Sequence, residues 1–289
     1  MDDALVREKP DATDALYRRL ASEARLAPYR DYVEDLWTAF RPFADPNFTT
    51  DIAHQFHPRF WEMYLGCAMI DLGFSLIPRP TLAGPDLGVQ LSGSRLWIEA
   101  AAPGHGQGPD AVPDLVEHDM FEPLPEAQVI LRFTAAVLEK ARKFEQYLAA
   151  GLVARDDVCV AAISGGAIWN GLYDDPMPLI VRSLFPVGGL QVTLAPDGTK
   201  VSEGFAMQRN VPKKSGAAVP TEGFMDGTLQ LLAGVLFSNS NLGNHPAVPG
   251  ADFIFIHNPT STGALPLGWF HSGKEFWLAD DQLMARRLP

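Results

Sequence analysis

Cysteine is scarce in this chain: Cys67 and Cys159 are the only two among 289 residues, and each sits in an apolar run. A disulfide framework is therefore not what stabilises it, and both are expected to be free thiols behaving as small hydrophobes. Long apolar runs are also missing. No stretch of about 18 such residues exists to cross a bilayer, so the chain is expected to be soluble, with no membrane partner. The opening MDDALVREKP lacks the basic start and apolar centre of a secretory signal, which leads to the expectation of a cytoplasmic location. Positive charge is in deficit: 23 Lys and Arg stand against 35 Asp and Glu, a formal charge of −12. That balance argues against a general nucleic-acid binder. It leaves room for a basic groove beside a carboxylate metal site, where a bound cation offsets the acids locally. HExxH, GxSxG and Walker motifs are absent, as are internal repeats and low-complexity segments.

The composition, 47% hydrophobic and 20% charged, is that of a globular protein, and the length suits one main domain with additions. From Ala12 to Phe43 the recurrence of Leu16, Leu20, Tyr32, Leu36 and Phe40 predicts two amphipathic helices. A third, apolar almost all round, should begin near His57-Pro58 and stop at Gly73. A short apolar stretch, Ser75 to Ile77, then precedes two β-rich runs, Asp86 to Leu91 and Arg95 to Ala101, joined at Ser92-Gly93-Ser94 as a hairpin. Pro103 to Pro125 reads as a long loop. Glu126 to Ala150 carries Ile130, Phe133, Val137, Ala141, Phe144 and Leu148 on one stripe, a long helix closed by Gly151. Val158 to Ile163 then reads as a buried strand set beside the hairpin by that helical crossover. Beyond it the chain is strand-rich: Leu190 to Leu194, Val201 to Ala206, Leu231 to Phe237, Phe253 to Ile256 and a terminal hairpin around Ser272-Gly273. The expected division is a helical arm over 1–56, a core over 57–165, and a strand-rich extension over 166–289 packed on the same domain.

Three acids fall where acids are awkward: Glu62 in the apolar helix, Asp86 opening one hairpin strand, and Glu99 within the run Leu96-Trp97-Ile98 before three alanines. An unpaired buried carboxylate costs several kcal/mol or gives up its charge. A divalent cation shared by Asp86 and Glu99 would account for both, since hard cations take oxygen ligands and keep waters for chemistry.

Through Glu62, Pro85-Asp86 and Glu99-Ala100-Ala101, and through the order helix, hairpin, helix, strand over about residues 57 to 163, the chain resembles the PD-(D/E)XK nuclease superfamily. It also resembles bacterial proteins with an acid-bearing strand followed by a lysine-bearing helix. The resemblance implies an α/β protein with a restriction-endonuclease-like mixed sheet flanked by helices. It implies a metal-dependent nuclease or phosphodiesterase in which Asp86 and Glu99, aided by Glu62, hold Mg²⁺ or Mn²⁺, with nucleic acid as a candidate partner and the substrate left open among DNA, RNA and something smaller. In one respect the chain departs from the pattern. The superfamily's lysine belongs two residues beyond the second acid, where this chain has Ala101. In some members the lysine is carried by the following helix, which here offers Lys140 and Lys143. At 100° per residue Lys140 lies about 65° from the middle of the apolar stripe and Lys143 about 125°, so Lys140 is expected to face the sheet and orient the attacking water. The bland readings are that Glu62 pairs with Arg59 or Arg95, that Asp86 caps a turn, and that Lys140 reaches past its helix to water. They lead to the alternative, a nuclease-fold binding or scaffold protein without catalysis.

Other candidates are weaker. His54 and His57 have i, i+3 spacing, but the next histidine is His105, in the expected loop. Ser164-Gly165-Gly166 reads as a plain loop, and Lys213-Lys214 with Arg209 as a solvated basic spot. The cluster Asn239, Asn241, Asn244, His245 and the run His257-Asn258-Pro259 follow apolar strands and could line one pocket, which would suit a hydrolase with a site far from Glu99. Subunit count and protein partners are left open by the sequence.

Overall fold

The computed structural model describes residues 4–79, 81–114, 125–168 and 177–288. Asp14 opens the first helix, α1 (Ala15–Ser22), its carboxylate accepting the N–H groups of Leu16 and Tyr17. Next come α2 (Ala27–Phe40), flanked by single 3₁₀ turns at Ala24–Leu26 and Arg41–Phe43, and the short α3 (Phe48–Asp51). The apolar helix α4 (Phe56–Asp71) is buried along most of its length, and Gly73, at φ 83°, ends it.

The expected hairpin is β1 (Leu87–Gln90) with β2 (Arg95–Ala101), and Leu76 adds an antiparallel bridge to Val89. Of the expected loop, 103–114 contains no helix or strand, and 115–124 lies outside the described residues. The long helix α5 (Glu126–Ala149) crosses to β3 (Val158–Ser164), which pairs parallel with β2. After α6 (Leu179–Arg182) come two small hairpins, β4 (Val187–Leu194) with β5 (Lys200–Met207) and β6 (Asn210–Pro212) with β7 (Ala218–Pro220). The chain then returns in β8 (Leu232–Ser238), β9 (Ile254–His257), β10 (Lys274–Ala279) and β11 (Gln282–Arg287).

The result is a mixed α/β architecture around one seven-stranded sheet, ordered β1-β2-β3-β8-β9-β10-β11. Part of the strand-rich extension continues that sheet as expected. Because β8 pairs directly with β3, the hairpins β4–β5 and β6–β7 are excluded from it and form sheets of their own. The terminal hairpin also differs from expectation. Its turn is Asp280-Asp281, both at positive φ, while Gly273 marks the entry to β10, where a Cβ would stand 2.1 Å from the Phe253 carbonyl oxygen.

Strand alternation splits the core in two. Leu96, Ile98, Val158, Val160 and Ala162 pack with α1, α2 and α4, while Trp97, Ala101, Cys159, Ala161 and Ile163 pack with α5 and α6. Glu99 shares the parity of Trp97 and Ala101 and so faces α5. Cys67 and Cys159 are both buried free thiols, and burial pushes each up to about 12. Among the described residues no helix is long and apolar enough to cross a membrane.

Candidate metal centre

Glu99 is fully buried at the centre of β2, and α5 supplies everything that holds it. Its Oε2 accepts from Lys140 Nζ and Lys143 Nζ, each at 3.1 Å, and its Oε1 accepts from the Tyr147 hydroxyl at 2.8 Å. Positions 140, 143 and 147 follow the i, i+3, i+7 spacing of one helix face. Lys140 is itself buried, with 8% of its side chain exposed, whereas 39% of Lys143 is open. Lys140 therefore does not reach past its helix to water. Burial draws the Lys143 ammonium down, but the charges of Glu99 and Asp86 together with its hydrogen bonds leave it raised. Burial, then the same carboxylate, pushes the Tyr147 phenol up.

Asp86 stands at the entry to β1, and its Oδ2 accepts the backbone N–H of Ala100 at 2.9 Å, tying the acid across the hairpin to the residue after Glu99. Among the described residues its Oδ1 is held by a 3.5 Å contact from Arg79 Nη1. Burial first, then the charge on Glu99, raises its pKa. Glu62 comes from α4. Its Oε2 accepts from Arg59 at 2.8 Å, as one bland reading had it, while Arg95 instead grips Asp157 at 2.9 Å. The other oxygen, Oε1, is buried with no hydrogen bond among the described residues, 3.6 Å from Arg79 Nη1. Burial, then the charge on Asp86, pushes the Glu62 carboxyl up to about 8.

Arg79 thus links Glu62, Asp86 and Asp45, and Arg59 links Glu62, Asp45 and Asp51. Sequence reasoning missed Arg79, which sits in a Pro-rich loop with no periodic signal, and Tyr147, which helical spacing from Lys140 and Lys143 could have found. The network sets five carboxylates (Asp45, Asp51, Glu62, Asp86, Glu99) against four cations (Arg59, Arg79, Lys140, Lys143), so one negative charge is unmatched when all are ionised.

A cleft of about 290 Å³ opens beside it, lined by Pro58, Ala100, Ala101, Arg132 and Lys140. Ala101 and Lys140 border the same space. Among the described residues no three His, Cys, Asp or Glu are gathered closely enough to form a ready metal cage. The oxygens that could hold a hard cation are Asp86 Oδ1 and Glu62 Oε1, which both face Arg79 Nη1 at 3.5 and 3.6 Å, and those of Glu99, which already accept from Lys140, Lys143 and Tyr147.

The remaining candidates are dispersed. His54 bonds Thr13, while His57 Nε2 lies 3.5 Å from Ser164 Oγ, which in turn accepts the Gly166 N–H of its own turn. Among the described residues the Asn and His runs lie apart. Asn241 lines a cavity with His57, Asn239 lines another with Asp252, His257 pairs with Glu275, and the Asn258 amide is spent on the carbonyls of Leu229 and Leu232. Their separation follows from strand order, since β8 and β9 run antiparallel and their C-terminal ends point opposite ways. Arg209 is paired with Glu222. No family model, curated protein or solved structure matches the chain.

Proposed function

We propose that the chain is a metal-dependent phosphodiesterase of the nuclease type, built on a restriction-endonuclease-like core, with Asp86 and Glu99 as metal ligands and Lys140 as the catalytic amine. The observation that carries this reading is the arrival of Lys140 from the crossover helix at Glu99, in the cleft that Ala101 also lines. The order of elements adds to it: helix α4, the Leu76 bridge, hairpin β1–β2, crossover helix α5, and β3 parallel to β2.

In this reading Asp86 and Glu99 bind Mg²⁺ or Mn²⁺, with Glu62 acting through the surrounding waters. Such a cation would acidify a water and polarise a phosphoryl oxygen. The rest falls to the chain. Lys140, anchored on Glu99, presents an ammonium at the cleft wall where it orients water and balances charge developing on phosphate. Lys143 and Tyr147 hold Glu99 in place, and Tyr147 gives its proton only to the hydrogen bond. Arg132, its Nε bonded to the Gly104 carbonyl at 2.9 Å, lines the same cleft as a second contact for a phosphate.

The direct test is cleavage of labelled DNA and RNA in Mn²⁺. Wild type should cut one of them, and Asp86→Asn and Lys140→Met should each lose at least about a hundredfold in rate, the scale of a positioned charge. Unchanged cleavage by Asp86→Asn would sink the site. A second reading, a nuclease-fold binding or scaffold protein without catalysis, is favoured by one observation: both oxygens of Glu99 are already engaged and the residue is closed to solvent. It predicts no cleavage of either polymer by the folded wild type.

A further inference from the structure

Hairpin β4–β5 projects from the body with most of its residues exposed. Residues opposite one another in an antiparallel pair lie on one side, and here Leu190 faces Phe205, Val192 faces Glu203 and Val187 faces Met207. With Leu194 and Val201 at i+2 and i−2 positions, one face gathers Leu190 (40% exposed), Val192 (48%), Leu194 (59%), Val201 (65%), Phe205 (41%) and Met207 (72%). The reverse face carries Gln191, Thr193, Ser202 and Gly204. A lone two-stranded ribbon is marginal in water, and among the described residues nothing covers the apolar side of this one.

We propose that this face is the docking surface for a second copy of the chain, packed face to face about a two-fold axis. Area is the first argument for that partner. Six side chains exposing on the order of 100 Å² each make a face of roughly 600 Å², at the upper end of what monomers leave open. Two such faces together remove about 1,200 Å², where specific interfaces begin. Charge is the second argument. The face holds one charge of each sign, Lys200 and Glu203, already paired with each other, so it is complementary to its own image. Nucleic acid or an anionic bilayer would require an excess of cations there.

The test is sedimentation velocity on the full chain up to about 100 µM, a concentration that reveals even weak association. A dimer is expected. Its affinity should rise between about 50 mM and 500 mM salt, because each copy carries −12 and screening removes their mutual repulsion. Val192→Asp with Phe205→Asp should weaken the dimer at least tenfold with an unchanged circular dichroism spectrum, while Gln191→Asp with Thr193→Asp on the reverse face should leave it intact. A wild type that stays monomeric, including one that instead floats with lipid vesicles, overturns the proposal. So does a dimer that the apolar-face variant leaves untouched.

Discussion

Lys140 and Glu99 hold one another inside the protein, and removing the Glu99 charge strands the buried Lys140 ammonium. Glu99→Gln leaves the Lys140 ammonium buried against a neutral amide, a loss on the order of 3 kcal/mol in stability. Adding Lys140→Met to that variant should recover part of the loss, so urea midpoints of the double variant should lie above the sum of the single effects; strict additivity would deny the coupling. His57 is a second group whose environment has a measurable consequence. Burial lowers its pKa from 6.5 to about 4. Between those values the unfolded chain binds a proton that the folded chain refuses, so His57 makes stability fall as pH drops from 6.5 to 4, and contributes no slope above 6.5. His57→Gln should flatten that limb of the stability curve, and an unchanged acid slope would show that the imidazole titrates freely. At this scale the sequence was informative where a residue was out of place. Glu62 and Glu99 stood out as acids in apolar runs, Asp86 as an acid opening a hairpin strand and Lys140 by its angle to the stripe, whereas Arg79 carried no such mark because a loop has no period to violate.

Helices α4 and α5 were legible because burial imposes a period on sequence, all round for α4 and on one stripe for α5, and Gly73 and Gly151 fixed their ends. Turn chemistry was less decisive. Two aspartates, which tolerate left-handed backbone, close the last hairpin, while the nearby Gly273 serves a close backbone approach instead. Packing between elements follows from single small residues. Gly66 lies one turn after Glu62 on the same face of α4, and a Cβ there would stand 2.4 Å from the buried Phe40 ring of α2. Gly66→Ala should therefore destabilise by about 1–3 kcal/mol through overpacking, despite the better helix propensity of alanine. Thermal melting checks this, and an unchanged or raised melting temperature would mean that α2 and α4 separate freely.

For the molecule as a whole, the order of helical and β-rich runs, with the resemblance it carries, pointed to a mixed α/β protein, but strand order was out of reach, because the pairing of β3 with β8 joins residues about seventy apart and leaves no local trace. For the same reason the exclusion of β4–β5 from the sheet was not foreseen, although its alternating apolar residues were visible. The two-layer core sets α4 and α5 on opposite sides of the sheet, and the site forms where Asp86 and Arg79 connect them at the start of the hairpin. A divalent-cation site at that junction is tested most directly by isothermal titration of Mn²⁺ into wild type and Asp86→Asn, a variant that keeps an acceptor for the Ala100 amide while losing the charge. Saturable binding to wild type that is lost in Asp86→Asn is the predicted result. No heat from wild type at about millimolar Mn²⁺, or equal affinity in both proteins, would contradict a metal centre at Asp86 and Glu99.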